Sequence, residues 1–168
     1  MGTQLNLIKQ VDIFFRLTPT QLELIASLCQ KRTFNTGEII FYEHTKSDEL
    51  YIIIQGEVDI LMNPSLVSNK PDLQAELITI AKLRRGQSFG EIALVDQGLR
   101  SATARAARDQ TQLLVIASDD LISLCETCPR LGYQFMFNLS ADLSLKIRNT
   151  DLRIRDKLLY SQKDKSVG

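Results

Sequence analysis

Between Phe89 and Ala106 the chain reads FGEIALVDQGLRSATARA, and this stretch holds residue types able to bind a small phosphate-bearing ligand. Gly90 precedes a short helix-compatible run, Glu91-Ile92-Ala93-Leu94. A glycine-led helix start turns unpaired backbone N–H groups and a positive dipole end outward, where an anion can settle. Arg100 adds a planar, permanently charged fork that can grip two phosphate oxygens, and the Ser101 hydroxyl lies beside it as a further donor. Glu91 is the exception, because a carboxylate beside a phosphate is repelled unless it has other work. Accepting a hydrogen bond from a ribose 2′-hydroxyl is such work, as acidic residues do in dinucleotide sites. Gly90, Glu91, Ile92, Ala93, Arg100 and Ser101 are therefore expected to hold the phosphate and ribose of one compact ligand.

A phosphate pinned near the 2′-hydroxyl describes a 3′,5′-cyclic nucleotide. FGE-IALV followed by RSAT, with Glu91 and Arg100 nine residues apart, resembles the phosphate-binding cassette of the cyclic-nucleotide-binding domain family, of the catabolite activator and kinase regulatory subunit type. The stretch TGEIIFYEHTKSDELYIIIQGEVDI extends the resemblance, with Gly37, Tyr51 and Gly56 at common family positions, and the whole spans about residues 12 to 150. Two departures lie outside the cassette. His44 and Ser47 stand at turn positions where the family often has Gly, and the loop Asn63–Ala75, with Pro64 and Pro71, exceeds the family's usual hairpin. The resemblance implies cyclic AMP or cyclic GMP as ligand, with no other cofactor, no metal and no catalytic residue.

The elements that must position these groups follow from periodicity. Apolar residues between 3 and 16 (Leu5, Leu7, Ile8, Val11, Phe14, Phe15) predict short amphipathic helices. Thr18-Pro19-Thr20-Gln21 predicts a helix start, with Thr18 as N-cap, Pro19 in the first turn and Gln21 closing a capping box. Leu22, Ile25, Ala26 and Cys29 form its buried stripe, ending near Gln30. From Lys31 the period becomes strand-like: Glu38–Tyr42, Leu50–Ile54, a Gln55-Gly56 hairpin into Glu57–Met62, then Leu77–Leu83, Ser101–Ala106 and Leu113–Ile116. Roughly eight short strands predict an α+β, mainly β fold: an antiparallel jelly roll (double-stranded β-helix) over about 31–117, with N-terminal short helices and C-terminal helices over about 118–160. Ser118 is the expected N-cap of the first C-terminal helix, with Asp119 and Asp120 in its first turn. Pro129 opens a longer helix to about Leu159 whose apolar face is Leu139, Leu143, Ile147, Leu152, Ile154 and Leu158. Residues 1–160 form one domain in this reading, and 161–168 a polar, disordered tail.

At 168 residues the chain is long enough to bury a core. Twenty basic and twenty acidic residues cancel, so bulk charge does not point to nucleic acid or a membrane surface. No apolar run approaches the roughly 18 residues that span a bilayer, and the N-terminal stretch is neither a signal peptide nor a myristoylation pattern. A cytoplasmic location is expected. Cys125 and Cys128 form CETC, but with no second pair and with the lone His44 distant they cannot complete a four-ligand site; the cysteines are expected to be reduced.

Sliding the long helix along that of the catabolite activator type places Thr150, and with it Asn149, against the purine. In the family a hydroxyl residue directly after the cassette Arg can favour guanine, and Ser101 is such a residue, but the activator protein has the same Arg-Ser pairing and responds to cyclic AMP. The expected function is a cyclic-nucleotide sensor, cyclic AMP being preferred, with no enzymatic activity and no direct DNA binding. It would signal through an unidentified effector protein, with a homodimer through the last helix as a further partner. The competing expectation is a scaffold that keeps the fold and ignores nucleotide. Hydrolysis needs an activated water from metal ligands or a general base, and one distant histidine does not supply it.

Overall fold

The computed structural model describes residues 2–46, 48–67, 76–96 and 98–165. Helix α1 (Gly2–Ile8) and a 3-10 turn (Asp12–Phe14) lead into α2 (Pro19–Leu28). The Thr18 capping box forms as its sequence requires: the Thr18 hydroxyl accepts from the Gln21 N–H, and the Gln21 side chain accepts from the Thr18 N–H. Eight strands follow: β1 (Gln30–Phe34), β2 (Ile39–Phe41), β3 (Glu49–Gln55), β4 (Glu57–Met62), β5 (Ile78–Arg84), β6 (Ser88–Phe89), β7 (Thr103–Ala106) and β8 (Thr111–Ala117). Helix α3 (Ile92–Asp96) interrupts them between β6 and β7, and α4 (Ser118–Thr127) and α5 (Pro129–Lys165) close the chain.

Among the described residues all strand pairs are antiparallel, in two four-stranded sheets ordered β1-β8-β3-β6 and β2-β7-β4-β5. This is the jelly roll expected from the spacing of the apolar runs. The continuous run Leu50–Ile54 is explained by burial on both faces of β3. Leu50, Ile52 and Ile54 pack with Ile25, Leu121, Leu131 and Phe135 of the helices. Tyr51 and Ile53 point into the roll against Val58, Phe89 and Leu113. Alternation along one strand thus feeds two cores.

Helix α5 is fixed to the roll by Leu131, Phe135 and Leu139, all at most 1% exposed and spaced four residues apart. Asn138 adds a polar anchor, its side-chain amide donating to the carbonyls of Ile13 (3.1 Å) and Phe15 (2.7 Å). Truncating Phe135 to Ala would cost about 3–5 kcal/mol on the usual scale for buried aromatics.

Three local expectations are corrected. Ser118 is not the N-cap of α4: Ala117 holds that position, with no side-chain cap, and Ser118 is the first helical residue. Strand β7 starts at Thr103 rather than Ser101; just before it, the Arg100 backbone bonds to the 44–45 turn, donating to the Thr45 carbonyl at 2.9 Å and accepting from the His44 N–H at 2.8 Å. Helix α5 runs to Lys165, past the expected boundary at 160, its last turns being filled by good helix formers such as Gln162 and Lys163. Residues 166–168, Ser47 and most of the Asn63–Ala75 loop, Pro71 included, lie outside the described residues; Pro64 opens a 3-10 turn to Val67.

Candidate functional site

Strand β6 delivers the chain to Gly90 at φ +81, where the left-handed backbone turns it into Glu91 and α3. Glycine is required there twice over. An L side chain is strained at that φ, and a Cβ would lie 2.5 Å from Arg100 Nη1 and 3.0 Å from the Glu49 carbonyl oxygen. The close approach brings the Arg100 guanidinium against the cassette turn.

Gly90, Glu91, Ile92, Arg100 and Ser101 from the cassette, and Asn149 and Thr150 from α5, line one cavity of about 330 Å³. The volume lies at the small end of ligand pockets, roughly 300–1,000 Å³, and suits one mononucleotide. The other expected site residues are thus brought together; Ala93 lies in α3, and its side chain is outside the described ones. Apolar walls come from Phe41, Ile60, Leu83 and Phe89, and Arg153, also in the lining, donates to the Ile80 carbonyl (2.7 Å).

Arg100 is 4% exposed. Its guanidinium carbon sits 4.1 Å from the Phe41 ring centroid and 5.4 Å from that of Tyr51. Nη1 donates to the Gly90 carbonyl at 3.3 Å and Nη2 to the Glu49 carbonyl at 3.0 Å. Nε is buried without a partner among the described residues. Burial pushes the Arg100 pKa down, against the pull of Tyr51, Asp48, Glu49 and Glu91. A buried cation facing carbonyl oxygens and one orphan N–H is a site that an anion would complete.

Behind Arg100 a second layer fixes its platform. Arg32 forks onto the Glu49 carboxylate, which also accepts from the Tyr51 hydroxyl at 2.6 Å. Burial alone would raise the Glu49 carboxyl, but the hydrogen bonds from Arg32 and Tyr51 more than offset it and hold it below the usual carboxylate range. The Tyr51 phenol is pushed up by burial and then by its bond to Glu49, so it stays a neutral donor.

Sequence reasoning missed Lys146. Its Nζ donates to Glu91 Oε1 at 2.7 Å and to the Ser88 carbonyl at 2.9 Å, and lies 2.8 Å from Asp142 Oδ2. Lys146, Asn149, Thr150 and Arg153 share one helical face at spacings of three and four, and that signal was present in the chain. His44 is exposed, with φ +62, which accounts for a turn position that glycine would also suit. Its N–H donates to the Arg100 carbonyl at 2.8 Å, so its backbone rather than its imidazole serves the site.

The three cysteines are free thiols, and burial pushes Cys29 up to about 12. Among the described residues no group of three or more His, Cys, Asp or Glu could hold a metal ion, and no helix is long and apolar enough to cross a membrane.

A family model described as the cyclic nucleotide-binding domain matches residues 31–128. The cyclic AMP receptor protein of Thermus thermophilus is 32% identical over 146 residues, 87% of this chain and 62% of that protein. A cAMP-dependent protein kinase regulatory subunit of Mycosarcoma maydis is 27% identical over 112 residues, 66% of this chain and 20% of that one. Among solved structures, the Thermus thermophilus catabolite activator protein superposes with a TM-score of 0.69 at 31% identity, covering 85% of this chain and 61% of that one. A cyclic nucleotide-binding domain from Methylobacillus flagellatus KT gives 0.77 at 25% identity, covering 93% and 83%. The chain spans less than two thirds of the length of these two curated relatives.

Proposed function

The chain belongs to the cyclic nucleotide-binding domain family, and from that premise we propose that it is a sensor of a 3′,5′-cyclic nucleotide, cyclic AMP, which acts through a partner protein. One observation carries the reading: Glu91 and Arg100, opposite charges each 4% exposed, face a single cavity of mononucleotide size across Gly90. Lys146 pairs Glu91, whereas the buried Arg100 guanidinium meets only carbonyl oxygens and keeps Nε unpartnered among the described residues, a charge that an anionic ligand would pair. Arg100 and the cassette N–H groups take the phosphate oxygens. Glu91, with Oε1 held by Lys146, keeps Oε2 to accept the ribose 2′-hydroxyl.

The choice of purine rests on Thr150. Its hydroxyl donates to the Lys146 carbonyl at 3.0 Å, so toward the cavity it offers acceptor lone pairs. Adenine presents an N6 amino donor to such an acceptor, whereas guanine presents its O6 acceptor. Asn149 stands beside it with an amide able to follow either edge. No residue is assigned a catalytic role.

The signal leaves through α5, whose Lys146 touches the cassette and whose outer face is exposed. Phe137, Ile147 and Ile154 on that face are 52–62% exposed, and this favours self-association through α5 in addition to an effector protein.

Calorimetric titration with cyclic AMP, cyclic GMP and 5′-AMP tests the reading. Cyclic AMP is expected to bind more tightly than cyclic GMP, and 5′-AMP not at all. Absence of binding by both cyclic forms would favour the scaffold alternative, and equal binding of 5′-AMP would remove the cyclic-phosphate assignment.

A further inference from the structure

Asp48, Glu49 and Glu91 all lie within electrostatic reach of Arg100. Asp48 is exposed, where water and salt screen it. The other two carboxylates are each held by a different cation. Lys146 takes Glu91, with Nζ 2.7 Å from Oε1, and Arg32 of β1 forks onto both oxygens of Glu49. Arg100 itself donates to two main-chain carbonyls and keeps Nε without a partner among the described residues.

Glu49 is the carboxylate best placed to reach Arg100. Its carbonyl oxygen already sits 3.0 Å from Arg100 Nη2, and its carboxylate is carried on a two-carbon stem of the same residue. The Tyr51 hydroxyl, 2.6 Å from Glu49 Oε2, belongs to a ring whose centroid lies 5.4 Å from the Arg100 guanidinium carbon. A change of Glu49 rotamer would therefore exchange the Arg32 fork for the Arg100 guanidinium. Carboxylate and phosphate use the same planar fork of donors, so Glu49 in that rotamer would take the place of the ligand's phosphate. We propose that Arg32 is a positioning residue for phosphate capture, which by gripping Glu49 keeps an internal competitor off Arg100. The proposal rests on the assignment of Arg100 to the phosphate and adds the residue that keeps this arginine free.

Geometry and solvation favour Arg32 over Arg100 in the ligand-free protein. The fork meets both carboxylate oxygens and Tyr51 donates to one of them, so Glu49 has three donors where it stands. The Arg32 side chain is 42% exposed and that of Glu49 23%, so their pair keeps water that a pair with the buried Arg100 would lose. Removing Arg32 takes away two of the three donors and leaves Arg100 as the nearby cation with an open N–H. Arg32 lies outside the cavity lining, so its loss removes no direct contact with a ligand.

Calorimetry with cyclic AMP and nitrogen-edited NMR of the arginine Nε–H groups test the proposal on the full chain. The variants are Arg32→Gln alone and Arg32→Gln combined with Glu49→Gln; the Arg100 signal is the one that Arg100→Leu lacks. Arg32→Gln should weaken cyclic AMP about tenfold, the loss expected when roughly nine molecules in ten hold Glu49 on Arg100. In the ligand-free protein its Arg100 Nε–H signal should shift as the carboxylate arrives. The added Glu49→Gln removes the competing charge and keeps an oxygen for the Tyr51 hydroxyl. It should recover most of the affinity and return the signal toward its original place. Unchanged affinity and signal in Arg32→Gln would overturn the proposal. Weaker binding with an unmoved signal would also overturn it, by reducing Arg32 to a distant charge, and a double variant weaker than the single one would reduce it to a support of the fold. An unmodified protein that binds no cyclic nucleotide would instead overturn the function proposed above, and the Nε–H signal would still decide whether Arg32 keeps Glu49 off Arg100.

Discussion

Lys146 Nζ lies 2.7 Å from Glu91 Oε1, so the C-terminal helix is tied directly to the carboxylate assigned to the ribose. Glu91 is buried, and its ion-pair partner Lys146 is held in turn by the Ser88 carbonyl and Asp142. Lys146→Met leaves the buried Glu91 carboxylate beside the incoming phosphate without its direct ion-pair partner. Cyclic AMP affinity should fall by about tenfold, roughly 1.4 kcal/mol, a discounted figure because the lysine is partly exposed. Amide exchange in α5 around residues 142–150 should quicken in parallel. An unchanged affinity would show that the pair is incidental to binding.

Gly90→Ala tests the backbone of the cassette. The substitution forces an L side chain into the left-handed region, costing about 1–3 kcal/mol. It also drives a methyl into the Arg100 guanidinium and the Glu49 carbonyl. For a domain of this size a melting temperature lower by about 2–4 °C per kcal/mol should accompany weakened binding. Normal stability and normal affinity together would mean that the turn relaxes without consequence.

Arg100→Leu removes the buried cation while keeping an apolar body between Phe41 and Tyr51. Binding should lose about 2–4 kcal/mol, roughly 30-fold or more, by loss of a charge-assisted contact to phosphate. Because the cation's own desolvation disappears with it, the free protein should not lose stability in proportion. Calorimetry and thermal unfolding on the same sample separate the two effects, and full retention of cyclic AMP binding would end the assignment of Arg100 to the phosphate.

The order in which these features could be read from the chain has a physical cause. Gly90, Glu91 and Arg100 are local: their spacing and residue types mark the site, although the fold adds the Phe41, Glu49 and Tyr51 platform under Arg100 and Lys146 beside Glu91. The roll was legible for the same reason, since runs such as Leu50–Ile54 and the Gln55-Gly56 turn are short-range signals. Lys146 was not, because its role depends on where α5 passes over β6, a placement set by Leu131, Phe135 and Asn138 rather than by its own neighbours. Ser118 misled for a different reason. Its type fits a cap, but β8 continues through Ala117 and hands over to α4 there, which moves the helix start by one residue.

Thr150→Ala addresses the purine. If the hydroxyl accepts from the adenine amino group, cyclic AMP should weaken by about 1 kcal/mol, the value of one neutral hydrogen bond, while cyclic GMP is little changed. The ratio of the two affinities is therefore the informative quantity, measured by titrating both ligands into both proteins. If neither affinity moves, the base does not lean on Thr150.

Glu91→Gln bears on the ribose, and an altered ligand sharpens it. The amide keeps an oxygen acceptor but exchanges the carboxylate charge for an N–H₂ group, which disrupts the Lys146 ion pair as well as the hydrogen bond to the 2′-hydroxyl. Loss of the ion pair penalises every ligand alike, whereas loss of the carboxylate acceptor penalises only one carrying the hydroxyl. Cyclic AMP should consequently weaken more than its 2′-deoxy analogue, by roughly the 1.5–3 kcal/mol of a charge-assisted bond less what the amide oxygen recovers. Lys146→Met, measured with the same two ligands, should weaken both to a similar degree because it leaves the acceptor in place. Equal losses for both ligands in Glu91→Gln would place the ribose elsewhere and leave Glu91 as the counter-ion that holds α5 over the cavity.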